Sequence, residues 1–269
     1  MTADIEVIAR ESAEDSNRPP LLFVHGAGHG AWCWDEHFLD FFARHGFDSY
    51  ALSLRGHGAS GGRERLRWTS IADYASDVAR VASSLPREPV VIGHSMGSRV
   101  VQTYLEAHEA PAAVLLAPPA GSGLLRPAAR MLLDHPWRSL QVIATGRASR
   151  LIGAPELARE FFFSPELPDE RVREYAARQG PESAPALLQL VYTRPDRARI
   201  RGVPMLVLGG GRDYFIRPSA VRRIAEGYGA ECRILEGVPH GMMLDAGWAE
   251  VAGAILEWLE RMLPESPSP

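Results

Sequence analysis

Short apolar runs without alternation punctuate the chain at Leu21 to Val24, Val90 to Ile92, Ala113 to Leu116 and Met205 to Leu208. A strand with one wet face alternates with period two, so unbroken runs of this length predict strands covered on both faces. Helical spacing follows them. Ile71, Tyr74, Ala75 and Val78 lead to Leu85, and Met96, Val100, Val101, Tyr104 and Leu105 follow the Val90 run. Strand then helix, repeated, predicts a mostly parallel α/β sheet flanked by helices. Two weaker strands fit the scheme, around Phe47 to Ser53 and around Arg233 to Leu235, and a last helix is predicted from Trp248 to Met262. Ahead of them, Ile5 to Ala9 reads as an early strand, while the polar stretch Glu11 to Pro20 reads as a turn or a reduced second strand.

The alternation stops between Pro118 and Val203. Pro127, Pro136, Gly146, Pro155, Pro165, Pro168 and Gly180 break this stretch into short helices, one of them marked by the stripe Val172, Tyr175 and Ala176. Residues 118–203 are therefore read as an inserted helical cap on a core made of residues 1–117 and 204–263. Trp137, Phe161, Phe162 and Tyr192 are its candidate substrate-binding side chains, as apolar walls of a cavity. His29, Trp32, Tyr214 and Met242, beside the core loops considered below, join the same set. The Pro- and Ser-rich tail 264–269 is expected to be disordered.

Composition narrows the classes. With 269 residues and 46% apolar content, one large α/β domain is within reach. A net charge of -4 without runs of like charge argues against a nucleic-acid partner and leaves a small-molecule substrate, with the oligomeric state open. All 29 bases are arginines, so any mechanism that needs a lysine amine is excluded. Two cysteines are too few for a disulfide framework, the acidic N-terminus lacks a signal-peptide pattern, and no apolar run is long enough to span a bilayer. A cytoplasmic protein is expected.

The chemistry-bearing pattern begins after Val90 to Ile92, where Gly93-His94-Ser95-Met96-Gly97 stands between a strand and a helix. A serine in this strand–turn–helix setting sits in a strained turn that small neighbours permit, its hydroxyl at the carboxyl edge of the sheet. That hydroxyl needs a base, and the base needs a group to fix its tautomer. Among the histidines after Ser95, His108 ends a surface helix and His135 lies in the cap, leaving His240, in the loop between the last strand and last helix. Asp213, past the Met205 strand in a glycine-rich loop, is the candidate acid. Asp245, just before the last helix, is the rival, better suited to capping. The loop Ala117-Pro118-Pro119-Ala120-Gly121 holds no acid. An oxyanion would need the backbone amide of Met96 and one from the glycine-rich loop after Leu21 to Val24, which points to Ala27. That loop's Gly26, Gly28 and Gly30 lack the dinucleotide pattern, and His25, His29, His45 and His57 match no metal spacing, so neither cofactor nor metal is expected.

These residues resemble the α/β-hydrolase fold family, serine-nucleophile branch, along nearly the whole chain. The matching segments are Phe23-Val24-His25-Gly26-Ala27, Arg55-Gly56-His57-Gly58-Ala59-Ser60, Gly93-His94-Ser95-Met96-Gly97, Asp213 and Pro239-His240-Gly241. The stretch from His25 to Trp32 is similar to the oxyanion loop of the plant esterase and hydroxynitrile lyase branch, and Ser53 stands where many bacterial relatives carry an aspartate. The resemblance implies an eight-stranded, mostly parallel sheet with the cap after the sixth strand. It also implies a serine hydrolase of a carboxylic ester, lactone or thioester with an apolar part, acting through an acyl-enzyme on Ser95. Epoxide hydrolases and haloalkane dehalogenases of this fold use a carboxylate where Ser95 stands. The hydroxynitrile lyases depend on a lysine that this chain lacks. A non-catalytic small-molecule receptor on the same scaffold is the alternative reading.

Overall fold

The computed structural model describes residues 4–13, 17–121, 125–137 and 154–263. Seven strands form one sheet: β1 (Val7–Arg10), β2 (Leu21–Val24), β3 (Ser49–Leu52), β4 (Val90–His94), β5 (Ala113–Leu116), β6 (Met205–Gly210) and β7 (Glu231–Leu235). Their order is β1-β3-β2-β4-β5-β6-β7, and all pairs are parallel except β1 with β3. The apolar runs β2, β4, β5 and β6 are buried at every residue. Helices cover both faces of the sheet, which is why these strands carry no polar side to alternate with. Antiparallel β1 sits at the edge, and Val7 there is 39% exposed.

The expected count of eight strands is corrected to seven among the described residues. One strand, β1, precedes β2, and the region from Glu11 to Pro20 supplies no second one among its described positions. Prolines 19 and 20 have no N–H to give a ladder, and the Ser12 amide bonds the Asp48 carboxylate at 2.9 Å.

The core helices are α1 (Trp32–Asp35), α2 (Phe38–Arg44), α3 (Ile71–Ala82), α4 (Met96–Leu105), α9 (Pro218–Tyr228) and α10 (Trp248–Met262). Helix α3 starts on a capping box, with Ser70 Oγ accepting from the Asp73 amide and Asp73 accepting from the Ser70 amide. Among the described residues four helices lie between β5 and β6: α5 (Leu125–Asp134), α6 (Pro155–Phe162), α7 (Asp169–Ala177) and α8 (Ala184–Tyr192). The stripe Val172, Tyr175 and Ala176 of α7 is buried, as are Phe161, Phe162 and Phe163 at the end of α6. Residues 138–153 of the expected cap and the tail 264–269 lie outside the described residues.

Topology places the site. From β2 the chain moves outward to β3, then α3 carries it back across β2 to β4. The loops after β2 and β4 thus leave the sheet in opposite directions, and a crevice opens at the strands' carboxyl ends, where open α/β sheets bind ligands.

Candidate active site

Ser95 has φ 51° and ψ -118°, a left-handed-side conformation rare for a residue with a Cβ. Its amide donates to Leu116 O at 2.8 Å, and the Ser98 hydroxyl lies within hydrogen-bond reach of Gly93 O (2.6 Å) and Leu116 O (2.9 Å), tying the turn to the ends of β4 and β5. Tight packing explains the flanking glycines. A Cβ on Gly93 would lie 2.5 Å from Gly97 O, and one on Gly97 would collide with Val24 O. Along residues 90–102 every residue is buried except Ser95.

The side chains of three distant loops meet at this turn. His240 Nε2 lies 3.1 Å from Ser95 Oγ, and His240 Nδ1 lies 2.8 Å from Asp213 Oδ2. A carboxylate only accepts, so Nδ1 carries the proton and Nε2 of the neutral ring offers its lone pair to the serine hydroxyl. Asp213 is held in turn: its Oδ1 accepts the Phe215 and Ile216 amides, each at 2.8 Å, and its side chain is wholly buried. The buried His94 donates Nε2–H to His240 O at 2.9 Å, fixing the His240 loop from below. Burial, reinforced by His240, keeps the His94 ring well below the ordinary histidine range, so this contact is neutral. Asp245 takes another place. Its Oδ1 accepts the Ser164 amide at 2.8 Å and its Oδ2 the Gly247 amide at 3.3 Å, while α10 starts without a side-chain cap. It ties the His240 loop to the α6–α7 link, as does the bond from Gly241 N to Phe162 O.

The loop after β2 faces Ser95 from the other side, and α7–α8 clamps it. Gly28, at φ 71°, donates to Glu182 Oε2 at 3.1 Å and accepts the Gly180 amide at 2.7 Å. His29 closes the loop on itself through Nδ1–H to Ala27 O (3.0 Å) and takes the Gln179 amide on Nε2 (2.9 Å). Burial lowers its pKa to about 4, which keeps it neutral. Glu182 is a buried hub: it also accepts from Tyr74 OH (2.6 Å) and the Ser183 amide (2.7 Å) and meets His57 Nε2 at 3.1 Å. Burial pulls the His57 ring down, but Glu182 and the Arg55 and Leu54 carbonyls outweigh it and raise its pKa. Burial likewise pushes Glu182 up, and the bonds from His57 and Tyr74 bring it below the usual value. His57 and Glu182 thus form a buried ion pair joining the loop after β3 to the α7–α8 link.

At Ser53, where the resemblance leads one to expect an aspartate, a hydroxyl and a carboxylate act together. Its hydroxyl accepts the Ala31 amide (2.8 Å) and donates to Glu6 Oε2 (2.6 Å), which also takes the Ala59 amide (2.9 Å). A carboxylate reaches the same loops from the start of the chain.

Comparison with known proteins agrees with this architecture. A model of the alpha/beta hydrolase family matches residues 21–254. The chain belongs to that family. Within it, the chain is 26% identical over 266 residues to a monoacylglycerol lipase of Mycolicibacterium smegmatis, a match covering 90% of this chain and 88% of the relative. A stretch of 95 residues is 34% identical to a protein of Arabidopsis thaliana provisionally named methylesterase 13, chloroplastic, covering 35% of this chain and 21% of that protein. Among solved structures, a carboxylesterase study of Nitrososphaera gargenis gives a chain of the same fold at TM-score 0.71 and 18% identity, covering 97% of this chain and 96% of the other.

The remaining expected residues of this hydrolase-family chain scatter. Phe162 lies 5.7 Å from the His240 ring and 6.3 Å from His29, centroid to centroid, and His29 stacks on Trp32 at 5.6 Å. Trp32 leans in turn on Tyr175 and carries Arg178 over its face. Phe161 packs on Tyr214 at 4.7 Å, one shell further out, and Tyr214 and Phe215 line a cavity of about 290 Å³ against α5. Met242 is fully buried. Trp137 and Tyr192, 78% and 75% exposed, stand at the surface instead of with these rings. Three contributors escaped the sequence reading: Phe215, whose ring edge meets His240 at 4.9 Å, His94 and Glu182. An aromatic two residues after Asp213 and the variable position in the Gly-x-Ser-x-Gly turn were signals at hand. Glu182 had none, since 125 residues separate it from His57. Among the described residues no helix is long and apolar enough to cross a membrane, and no group of three or more His, Cys, Asp or Glu is placed to hold a metal ion.

Proposed function

We propose that the chain is a serine hydrolase of carboxylic esters, lactones or thioesters with an apolar part, in which Ser95 is the nucleophile, His240 the base and Asp213 the orienting acid. The observation that carries this reading is the unbroken path Ser95 Oγ–His240–Asp213 ending on a strained, partly exposed serine. The names of the relatives, a monoacylglycerol lipase and a methylesterase, support the ester class.

Ser95 Oγ attacks the carbonyl carbon as its proton passes to His240 Nε2. The imidazolium formed is stabilised by Asp213, which stays ionised. The carbonyl oxygen becomes an oxyanion held by the Ala27 and Met96 amides. Met96 opens α4, whose N-terminal dipole favours the same negative charge. His240 returns the proton to the leaving alcohol or thiol, giving the acyl-enzyme. Water then adds to the acyl carbon with His240 as base, and the carboxylic acid departs. Glu182 and Gly180 hold the Ala27 loop in place through Gly28, so the helical insertion, read as a cap over residues 118–203, completes the oxyanion site as well as shaping the pocket. Phe162 and Phe215 wall the acyl or alcohol side.

The test is turnover of a panel of short-chain esters, long-chain esters, lactones and thioesters by the wild type and Ser95→Ala. Hydrolysis of one class, abolished in Ser95→Ala, is expected. Saturable ligand binding with no turnover of any class would replace this reading with that of a receptor.

A further inference from the structure

On the flank of the sheet between α4 and α9 lies a second cavity, of about 1030 Å³. At its base are two buried side chains of α4, Arg99 and Gln102, 8% and 4% exposed, three residues apart and so on one helix face. Arg99 Nη2 donates to Thr193 Oγ1 at 2.9 Å, but its Nε is buried without a hydrogen-bond partner. Gln102 Oε1 accepts from Tyr228 OH at 3.3 Å, and its Nε2 is likewise buried and unpartnered. Both orphan groups are donors. Arg194, Arg197 and Arg223 stand exposed around the rim.

The acids nearby do not pair with this set. Asp196 Oδ1 accepts the Ala198 amide, and Glu106 Oε1 accepts the Asp196 amide. Glu226 lines the cavity too, yet among the described residues none of Arg99, Arg194, Arg197 and Arg223 forms an ion pair. A buried guanidinium N–H and a buried amide N–H left open carry a standing penalty that an incoming acceptor relieves. The planar guanidinium fork matches a carboxylate or phosphate best. Ala120, Ala220 and Ile224 supply an apolar wall.

We propose that this cavity binds a small organic anion, its carboxylate or phosphate group held by Arg99 and Gln102 and its apolar part lying on Ala120, Ala220 and Ile224. Arg99 stands one helical turn beyond Ser95. Ala120, Ala220 and Arg223 also border the 290 Å³ cavity that Phe215 lines, so the two spaces adjoin, and Phe215 in turn meets the His240 ring. The same chemistry suits the anionic far end of a substrate or a separate effector.

Calorimetric titration of the Ser95→Ala chain with hexanoate, hexyl phosphate and neutral hexanol tests the site without relying on turnover. Both anions are expected to bind saturably, and hexanol not at the same concentrations. Arg99→Gln should weaken the anions by about ten- to hundredfold, the scale of a lost bond to a charged group. The exposed Arg197→Gln/Arg223→Gln pair should weaken them by up to about fivefold and more at low salt, and carries the test if Arg99→Gln does not fold. In the wild type, competition of the anions with a neutral ester identifies the substrate's end, and a change in rate without competition identifies an effector. Anion binding that is absent, or unaffected by all of these substitutions, overturns the site and leaves the Ser95 reading standing.

Discussion

Replacing Glu182 by glutamine keeps the side chain's shape and removes its charge at the point where the insertion meets the loops after β2 and β3. The carboxylate accepts from Tyr74, Gly28 and Ser183 and pairs with His57. An amide has one acceptor oxygen, so two of these four donors lose their acceptor and the buried imidazolium loses its counter-charge. Breaking a buried pair from one side costs about 3–5 kcal/mol, and the retained amide oxygen places the expected loss at about 3 kcal/mol. For a domain of this size that is a fall of roughly 6–12 °C in Tm. The pH dependence gives the sharper signature. Glu182 is depressed in the folded chain, so its contribution is present above its ordinary value of 4.5 and is lost as pH falls through the lowered one. His57 is raised, so its contribution is complete below 6.5 and is lost as pH rises through the raised value. The gap in Tm between wild type and Glu182→Gln should therefore be widest between pH 4.5 and 6.5 and narrow on both sides. Calorimetric unfolding across pH 4 to 9, at fixed ionic strength, measures it. With the amide nitrogen in the Oε2 position, Gly28 loses its acceptor, and kcat for ester turnover should then also fall while the Ser95–His240–Asp213 contacts persist. A Tm gap under about 1 kcal/mol equivalent, or one flat with pH, would refute the buried ion pair as the link between insertion and loop.

Ser95→Ala and His240→Ala should each remove nearly as much rate as the double variant, on the order of a millionfold, and additive losses would show that the two do not act as a unit. Asp213→Asn should fold normally and lose about ten-thousandfold in kcat through the wrong histidine tautomer. Asp245→Asn should cost stability through the Ser164 contact with a far smaller kinetic effect, and the reverse pattern would exchange the two assignments. Phe162→Ala and Phe215→Ala should lower the long-to-short ester ratio of kcat/KM by about one to two orders of magnitude, matching roughly 1.5–3 kcal/mol for a buried ring, whereas Trp137→Ala should leave it unchanged. Treatment with a chelator should leave turnover unaltered, and activity restored by added zinc would reassign the histidine cluster.

The core was legible because both-face burial writes itself into unbroken apolar runs: β2, β4, β5 and β6 begin at the residues where those runs begin, and α10 spans Trp248–Met262 as read. Ser95, His240 and Asp213 were legible because each follows a strand end in a loop whose glycines have a steric reason, and the structure brings the three within hydrogen-bond reach. What was not legible depends on long-range placement. No local pattern tells that Ser53 meets the Glu6 carboxylate, or that Glu182 meets His57. Between β5 and β6 aromatic content supplied candidate rings but not their faces, since a ring on a short helix has equal claim to core and surface until its neighbours are fixed. Phe162 turned toward His240 and Trp137 outward on this account alone.

Ester turnover through Ser95 requires a covalent acyl intermediate on its Oγ. Trypsin cuts after Arg87 and Arg99, so residues 88–99 form one peptide containing Ser95 and Ser98. Fluorophosphonate labelling followed by fragmentation of that peptide should place a stoichiometric adduct on Ser95 and none on Ser98, and His240→Ala should slow its formation. An acid-quenched early turnover of an ester should show the acyl mass on the same residue. No adduct on Ser95 in a folded chain that still turns over ester would contradict the mechanism.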